Sequence, residues 1–543
     1  MSSKSISNDP HRHTEHLGRA LLISLKSGWD VQLVDRTEER KVLRKPMVLG
    51  AALALAMRWK SSDLFADRRI GLVLPPGAGA TVANLALVFL NKIPVNLNFT
   101  QGREASEHSL KIAGVKTVVS AALMKKKVEN FPWPENFVDL RRELQAIGKA
   151  RILGWAFRAK VTSVDRLASL LDLPAEGGDT EAGLLFTSGS SGFPKGVPLT
   201  HANLLGQASQ ITATRLLLRE THVLLANLPV FHSFGFMVTM WYCLLAGVRY
   251  VTVPSPLETR KSIEAIREEK CTVLLSTPTF LRPYLKKASK GDLSSLKFII
   301  CGAEKLSPVF RDDFVGQFGV PLLEGYGLSE TSPVVSVNLP ENYARAEERP
   351  VSRKDTVGKP LPGIGVQIRN FADGEVLQSG EEGQVCLKGV NVFPGYLDLE
   401  DKNAEIFDEE GWLLTSDRGK LDEDGFLSIA GRVSRFSKIG GEMISHAAVE
   451  AAIEKVMGWQ DEEETILAVL PEEDEKKGEK LVLLTTKPVE LDDVRKKLRD
   501  EGASNLYIPS RIVKTEKIPT LVSGKLDLRC CREEIGQSGK RSE

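Results

Sequence analysis

The chain has 543 residues, several times the roughly 150 of a typical domain, so three or four folding units are expected rather than one hydrophobic core. Its 72 Lys+Arg against 71 Asp+Glu leave a net charge of +1, which disfavours a dedicated nucleic-acid binder. With 42% hydrophobic and 26% charged residues, a fibrous, collagenous or largely disordered chain is excluded.

From the N-terminus, MSSKSISNDPHRHTEH is polar and lacks the apolar stretch of a signal peptide, so a chain that is not secreted is expected. The longest apolar runs, around Val48 to Met57 and Phe234 to Gly247, are shorter than the roughly 18 to 20 residues that cross a bilayer. Six cysteines (Cys243, Cys271, Cys301, Cys386, Cys530, Cys531) lie in apolar segments without CxxC or Cys/His metal spacing. They read as small buried side chains in a reducing, cytoplasmic compartment without structural zinc.

Between about residues 45 and 330, apolar β-rich runs alternate with helical patterns: RIGLVLPP then TVANLALVFL, and CTVLLSTPTF, LKFIICGAEKL and SPVFRDDFVGQF with Phe310, Phe314 and Phe318 at helical spacing. That order predicts an α/β fold, with parallel-type sheets covered on both faces. Within it, Arg141 to Lys160 carries six basic residues against Glu143 alone, interleaved with Ile147, Ile152, Leu153, Trp155 and Phe157. The segment reads as an exposed helix packing its apolar face on the core, with an anionic lipid surface, and so peripheral contact at the inner face of the membrane, as the alternative. From about 350 to 431, short strands between glycine turns (PGIGVQI, EEGQVCLKG, EDGFLSIAG) predict a small antiparallel, β-barrel-like subdomain. After Arg432, helical ISHAAVEAAIEKVM and LDDVRKKLRDEG alternate with strand-like ETILAVL, KLVLLTT and SRIVKTEKI, predicting a small α+β domain over 437–543, with PEEDEKKGEK as a solvated hairpin loop.

The most informative stretch is LLFTSGSSGFPKGVPLTH, residues 184 to 201. A strand runs into Thr187, Ser188, Gly189, Ser190, Ser191 and Gly192, followed by Lys195 and Gly196. Glycines let successive backbone N–H groups converge on an anion, hydroxyls add donors, and the lysine adds a mobile charge, which makes a phosphate cradle. A Ser/Gly-rich loop alone reads equally as a linker; the strand before it and the Lys-Gly after it oppose that. The Walker pattern fails, because Pro194 and Gly196 flank the lysine.

With TSGSSGFPKGV and four further motifs in the same order, the chain resembles the adenylate-forming (AMP-binding) superfamily over nearly its whole length. The resemblance implies a large N-terminal adenylation domain over 1–431, a hinge at 432–436 and a mobile C-terminal lid. It implies that GAEKL (Gly302, Ala303, Glu304) and EGYGLSE (Gly325, Tyr326, Gly327) embrace adenine, that Glu330 holds Mg²⁺, and that Ser329 stands beside the α-phosphate of ATP where the family usually has Thr. Asp417 in WLLTSDRG would accept the ribose hydroxyls with Arg432 as a second contact, and Lys525 would bridge carboxylate and α-phosphate. Arg435 occupies the hinge position, usually Asp or Lys, and Gly440-Gly441 would face the incoming pantetheine arm. His232, Phe234 and Gly235 lie where the family meets the acyl group, and the lack of Asp or Glu there disfavours an amino-acid substrate.

Within the superfamily, Arg435 with GGEMIS, FHSFGF and STPTFL resembles the synthetase half of the bifunctional acyl-acyl carrier protein synthetase and 2-acylglycerophosphoethanolamine acyltransferase. None of the eight histidines begins the HxxxxD motif of the other half. The resemblance implies fatty-acid activation through acyl-AMP and transfer to the thiol of acyl carrier protein. Coenzyme A as the acceptor is the alternative, and a noncatalytic acyl or nucleotide sensor is a third reading, opposed by the retention of Lys525 and Glu330.

Overall fold

The computed structural model describes residues 13–187, 193–217, 221–341, 350–432, 435–439, 442–460, 462, 464–474, 478–501, 503, 505–520 and 526–540. Two large sheets carry the α/β region. In the first, six strands run in the order Asn136–Asp139, Thr117–Ser120, Arg69–Val73, Ile93–Asn96, Glu181–Thr187, Lys195–Thr200, all parallel except the final hairpin. In the second, nine strands place Lys359–Pro360, Val334–Val337, Leu322–Gly327, Phe298–Cys301, Val273–Ser276, Val223–Ala226, Arg249–Thr252, Val31–Asp35 and Lys41–Arg44 side by side. Its centre is parallel and its two edges antiparallel.

Parallel strands of Val, Leu and Ile need cover on both faces, and helices supply it. Leu17–Lys26, Lys45–Lys60, Ala78–Phe89 and His201–Ala213 share one large core with residues from both sheets. A second core, with the Phe310, Phe314 and Phe318 stack at ring separations of 5.9 and 4.7 Å, covers the other side of the nine-stranded sheet. The sheet begins earlier and ends later than the sequence pattern indicates, because Val31–Asp35, Lys41–Arg44 and Lys359–Pro360 join as edge or near-edge strands too short to show a periodicity of their own.

Four strands, Gly365–Arg369, Gly383–Lys388, Leu413–Leu421 and Leu427–Arg432, form an antiparallel meander. A last sheet orders Glu442–Ser445, Phe436–Ile439, Gly478–Thr485 and Leu467–Asp474, with Arg511–Lys514 alongside Gly478–Thr485. Its alternation is direct: Leu467, Val469, Leu481 and Leu483 enter one core while Ala468, Leu470, Val482 and Leu484 enter another. The expected hairpin at 471–480 is present, but its strands run through Asp474 and again from Gly478, with Glu472 held by Lys480 at 3.3 Å and Arg511 at 2.6 Å.

The basic helix is Leu140–Val161, with a break at Gly148, where φ is 74°. Ile147, Ile152 and Trp155 pack on the core as expected, but Leu153 and Phe157 face solvent. Five of the six cysteines are buried and Cys530 is half-buried, all as free thiols. No helix among the described residues is long and apolar enough to cross a membrane.

Candidate active site

The phosphate-loop motif lies between paired strands. Glu181–Thr187 and Lys195–Thr200 are antiparallel with Thr187 opposite Lys195, so the ends of the intervening segment are fixed by a hairpin ladder. Ser188, Gly189, Ser190, Ser191 and Gly192 lie outside the described residues. The Thr187 hydroxyl is buried and has no hydrogen-bond partner among the described residues.

Lys195 is half-buried, and its ammonium stands 3.8 Å from the centroid of the Tyr396 ring. Burial lowers its pKa, opposed by the negative charge of Glu330. The Tyr396 hydroxyl donates to Glu330 Oε1 at 2.6 Å. Burial, together with that carboxylate, raises the Tyr396 pKa far above its ordinary value, so it remains a donor. Tyr396 escaped sequence reading; its local signal is just the Pro394-Gly395-Tyr396 turn.

A second pairing lies beside the first. Asp417 and Arg432 are cross-strand partners in the meander, which brings Arg432 Nε to 3.3 Å from Asp417 Oδ1. The other Asp417 oxygen accepts from the Tyr326 hydroxyl at 2.6 Å. Burial first, then the Asp417 charge, hold Tyr326 protonated at any ordinary pH. The Asp417 and Glu330 charges both favour the Arg432 cation, against its burial, so the two clusters lie within electrostatic reach of each other.

Tyr326 lies near the end of strand Leu322–Gly327 and Glu330 in the turn Ser329–Thr331 just after it, and glycine is dictated between them. A Cβ on Gly327 would sit 1.9 Å from the Pro333 carbonyl oxygen. At the start of the same motif, burial pushes the Glu324 carboxyl up to about 7, with Arg311 at 3.6 Å opposing. Gly302 follows strand Phe298–Cys301 and faces Phe234, whose ring a Cβ would meet at 3.4 Å, and the Gly325 carbonyl at 3.7 Å. Ala303 has a left-handed φ of 69°, a conformation costing a non-glycine residue about 1 kcal/mol or more. Glu304 turns away to accept from the Thr279 backbone N–H at 3.1 Å and its hydroxyl at 2.7 Å, which ties the motif to helix Pro278–Lys287.

On the acyl side, Phe234–Tyr242 is wound as a π-helix and continues as Cys243–Ala246. A Cβ on Gly235 would lie 2.1 Å from the Pro229 carbonyl oxygen, so a tight turn precedes it. Ser233 and Ser329 hydroxyls meet at 3.2 Å, joining this segment to the Glu330 motif, and His232 packs edge-on against Phe231 at 4.7 Å. Arg435 lies farther along, its guanidinium 2.5 Å from the half-buried Glu450 carboxylate and donating to the Val469 carbonyl at 3.1 Å. Gly440, Gly441 and Lys525 lie outside the described residues.

A family profile described as "AMP-binding enzyme" matches residues 49–397. The chain belongs to that family. Among relatives of the AMP-binding chain, a medium-chain fatty-acid–CoA ligase of Escherichia coli (strain K12) is 32% identical over 367 residues, covering 66% of this chain and 62% of that protein. A long-chain-fatty-acid–CoA ligase of Bacillus subtilis (strain 168) is 28% identical over 435 residues, 75% of each. The match to the E. coli ligase thus spans less than two thirds of that ligase. Of solved structures, ATP-bound MatB from Rhodopseudomonas palustris has the same fold at a TM-score of 0.76 and 21% identity, covering 96% of this chain and 99% of that one. O-succinylbenzoate coenzyme A synthetase from Bacillus subtilis, in complex with ATP and magnesium ion, gives 0.75 at 23% identity, covering 94% and 98%.

Proposed function

We propose that this AMP-binding enzyme joins a fatty acid to ATP as acyl-AMP, releasing pyrophosphate, and then passes the acyl group to a pantetheine thiol. The observation that carries the reading is the single charged unit in which Lys195, Tyr396 and Glu330 adjoin Tyr326, Asp417 and Arg432. A carboxylate is a poor electrophile, so its oxygen attacks the α-phosphorus and pyrophosphate departs, leaving a mixed anhydride open to a thiol. The barrier lies in charge building on phosphate oxygens, which preorganised donors offset.

In this reading Lys195 and the Thr187 hydroxyl face the phosphates, while Asp417, positioned by Tyr326 and Arg432, accepts the ribose hydroxyls. Glu330, oriented by Tyr396, is a lone carboxylate, and no group of three or more His, Cys, Asp or Glu gathers for a metal among the described residues. That donor set fits Mg²⁺ carried largely by the nucleotide's own phosphates, whose charge the ion neutralises. Phe234, which faces Gly302 and opens the apolar π-helix, supports an alkyl carboxylate as the acyl substrate in this reading.

Two acceptors are supported by different observations. Acyl carrier protein is favoured by Arg435 with GGEMIS, FHSFGF and STPTFL; coenzyme A is favoured by the ligases to which the chain is similar. Labelled fatty acid, ATP and Mg²⁺ with either holo-acyl carrier protein or coenzyme A separate them. The proposal expects the carrier protein to be acylated at the higher kcat/KM; faster acylation of coenzyme A transfers the assignment to the second reading, and neither thioester forming overturns both.

A further inference from the structure

The second half of helix Leu140–Val161 has two unlike faces. Inward, it crowds Lys45–Lys60 so closely that a Cβ on Gly50 would meet the Ile152 carbonyl oxygen at 2.7 Å and the Ala156 methyl at 2.8 Å. That contact fixes the helix's rotation, with Ala156 and Ala159 buried and Ile152 partly buried on the inward face. Outward, Leu153, Phe157 and Val161 recur every fourth residue, one above another on the solvent side. Phe157 at 72% and Val161 at 68% are the most exposed large hydrophobic side chains among the described residues. Trp29, 61% exposed, extends the stripe: the Lys160 ammonium lies 5.2 Å from its ring centroid and donates to the Gly28 carbonyl at 3.1 Å.

Along this half of the helix the charge has one sign, although the exposed Asp30 follows Trp29. No acidic residue occurs between Glu143 and Asp165, while Lys149, Arg151 and Arg158 are exposed and the Arg158 guanidinium lies over Trp155 at 4.8 Å. The flanking acids are occupied, Glu143 by Arg58 and Trp59 and Asp165 by Arg19. Aromatic and aliphatic tips that stand proud of a fixed helix, ringed by cations, suit an interface with apolar chains beneath a negative surface. A carrier protein's acidic surface would match the cations but leave Phe157, Val161 and Trp29 wet.

We propose that Leu153, Phe157, Val161 and Trp29, with Lys149, Arg151 and Arg158, dock this chain on an anionic lipid surface, lying on it rather than spanning it. The test is sedimentation of the full-length protein with phosphatidylcholine vesicles, with or without equimolar phosphatidylglycerol, at low and high salt. Binding is expected to anionic vesicles, weakened by salt, and about tenfold or more weaker on phosphatidylcholine alone. Leu153→Ser with Phe157→Ser, and separately Arg151→Glu with Arg158→Glu, are each expected to lower partition about tenfold or more. These exposed positions should leave thermal unfolding and pyrophosphate exchange unchanged, which shows that the variants are folded. Absence of binding to anionic vesicles overturns the proposal, as does binding that both double variants leave intact. Loss in the variants of self-association, or of affinity for an acidic carrier protein, while vesicle binding persists would assign the face elsewhere and likewise overturn it.

Discussion

Tyr396 illustrates how a residue without a motif of its own joins the proposed site. Its hydroxyl fixes one oxygen of Glu330, and its ring face stabilises the Lys195 ammonium through a cation–π contact. Tyr396→Phe keeps the ring and removes the hydrogen bond, so Glu330 loses its orientation while Lys195 keeps its neighbour. Pyrophosphate exchange is expected to slow about tenfold or more, in line with about 1.5–3 kcal/mol for a hydrogen bond to a charged group, with little change in unfolding temperature. An unchanged exchange rate would show that Glu330 needs no such positioning. The motif around Asp417 proposes it as a site residue but says nothing of its setting: the Tyr326 hydroxyl comes from 91 positions away, and the Tyr396 to Glu330 pair spans 66. Such pairs carry no periodicity, because folding alone brings them together.

At the scale of elements, strand–helix pairs such as Arg69–Val73 with Ala78–Phe89 were legible because the change from a short apolar run to a helical period is a local signal. Lys41–Arg44 was not, since four residues with polar ends resemble a loop until pairing with Val31–Asp35 defines them. The charged stretch after Leu470 was legible as a hairpin but not in the extent of its strands: its composition suggests solvation, but Glu472 finds Arg511 and Lys480 across the sheet. The loop after Leu322–Gly327 is where backbone fit and chemistry coincide. Gly327→Ala forces a methyl into the Pro333 carbonyl and displaces the segment carrying Ser329 and Glu330. A loss of about 2 kcal/mol or more in unfolding stability is expected, together with most of the exchange activity; normal stability by denaturant titration would contradict the close approach.

For the whole molecule, the proposal places the chain's units in alternating roles: 1–431 holds nucleotide and acyl group, and 437–543 turns about 432–436 to present first Lys525 and then Gly440-Gly441. Arg435 suits an anchor at this joint, since its guanidinium is tied to Glu450 and Val469 of the following sheet and helix. Lys525→Ala is expected to lower acyl-AMP formation about a hundredfold or more while leaving thioester formation from supplied acyl-AMP nearly intact. Equal loss in both half-reactions would contradict alternation. The claim beneath all of this is that one charged unit adenylates an alkyl carboxylate, and fatty-acid-dependent exchange of labelled pyrophosphate into ATP measures that step without any thiol acceptor. Exchange is predicted to require both a fatty acid and Mg²⁺ and to fall about a hundredfold or more in Asp417→Ala; exchange at the same rate without fatty acid, or supported by amino acids in its place, would contradict the account.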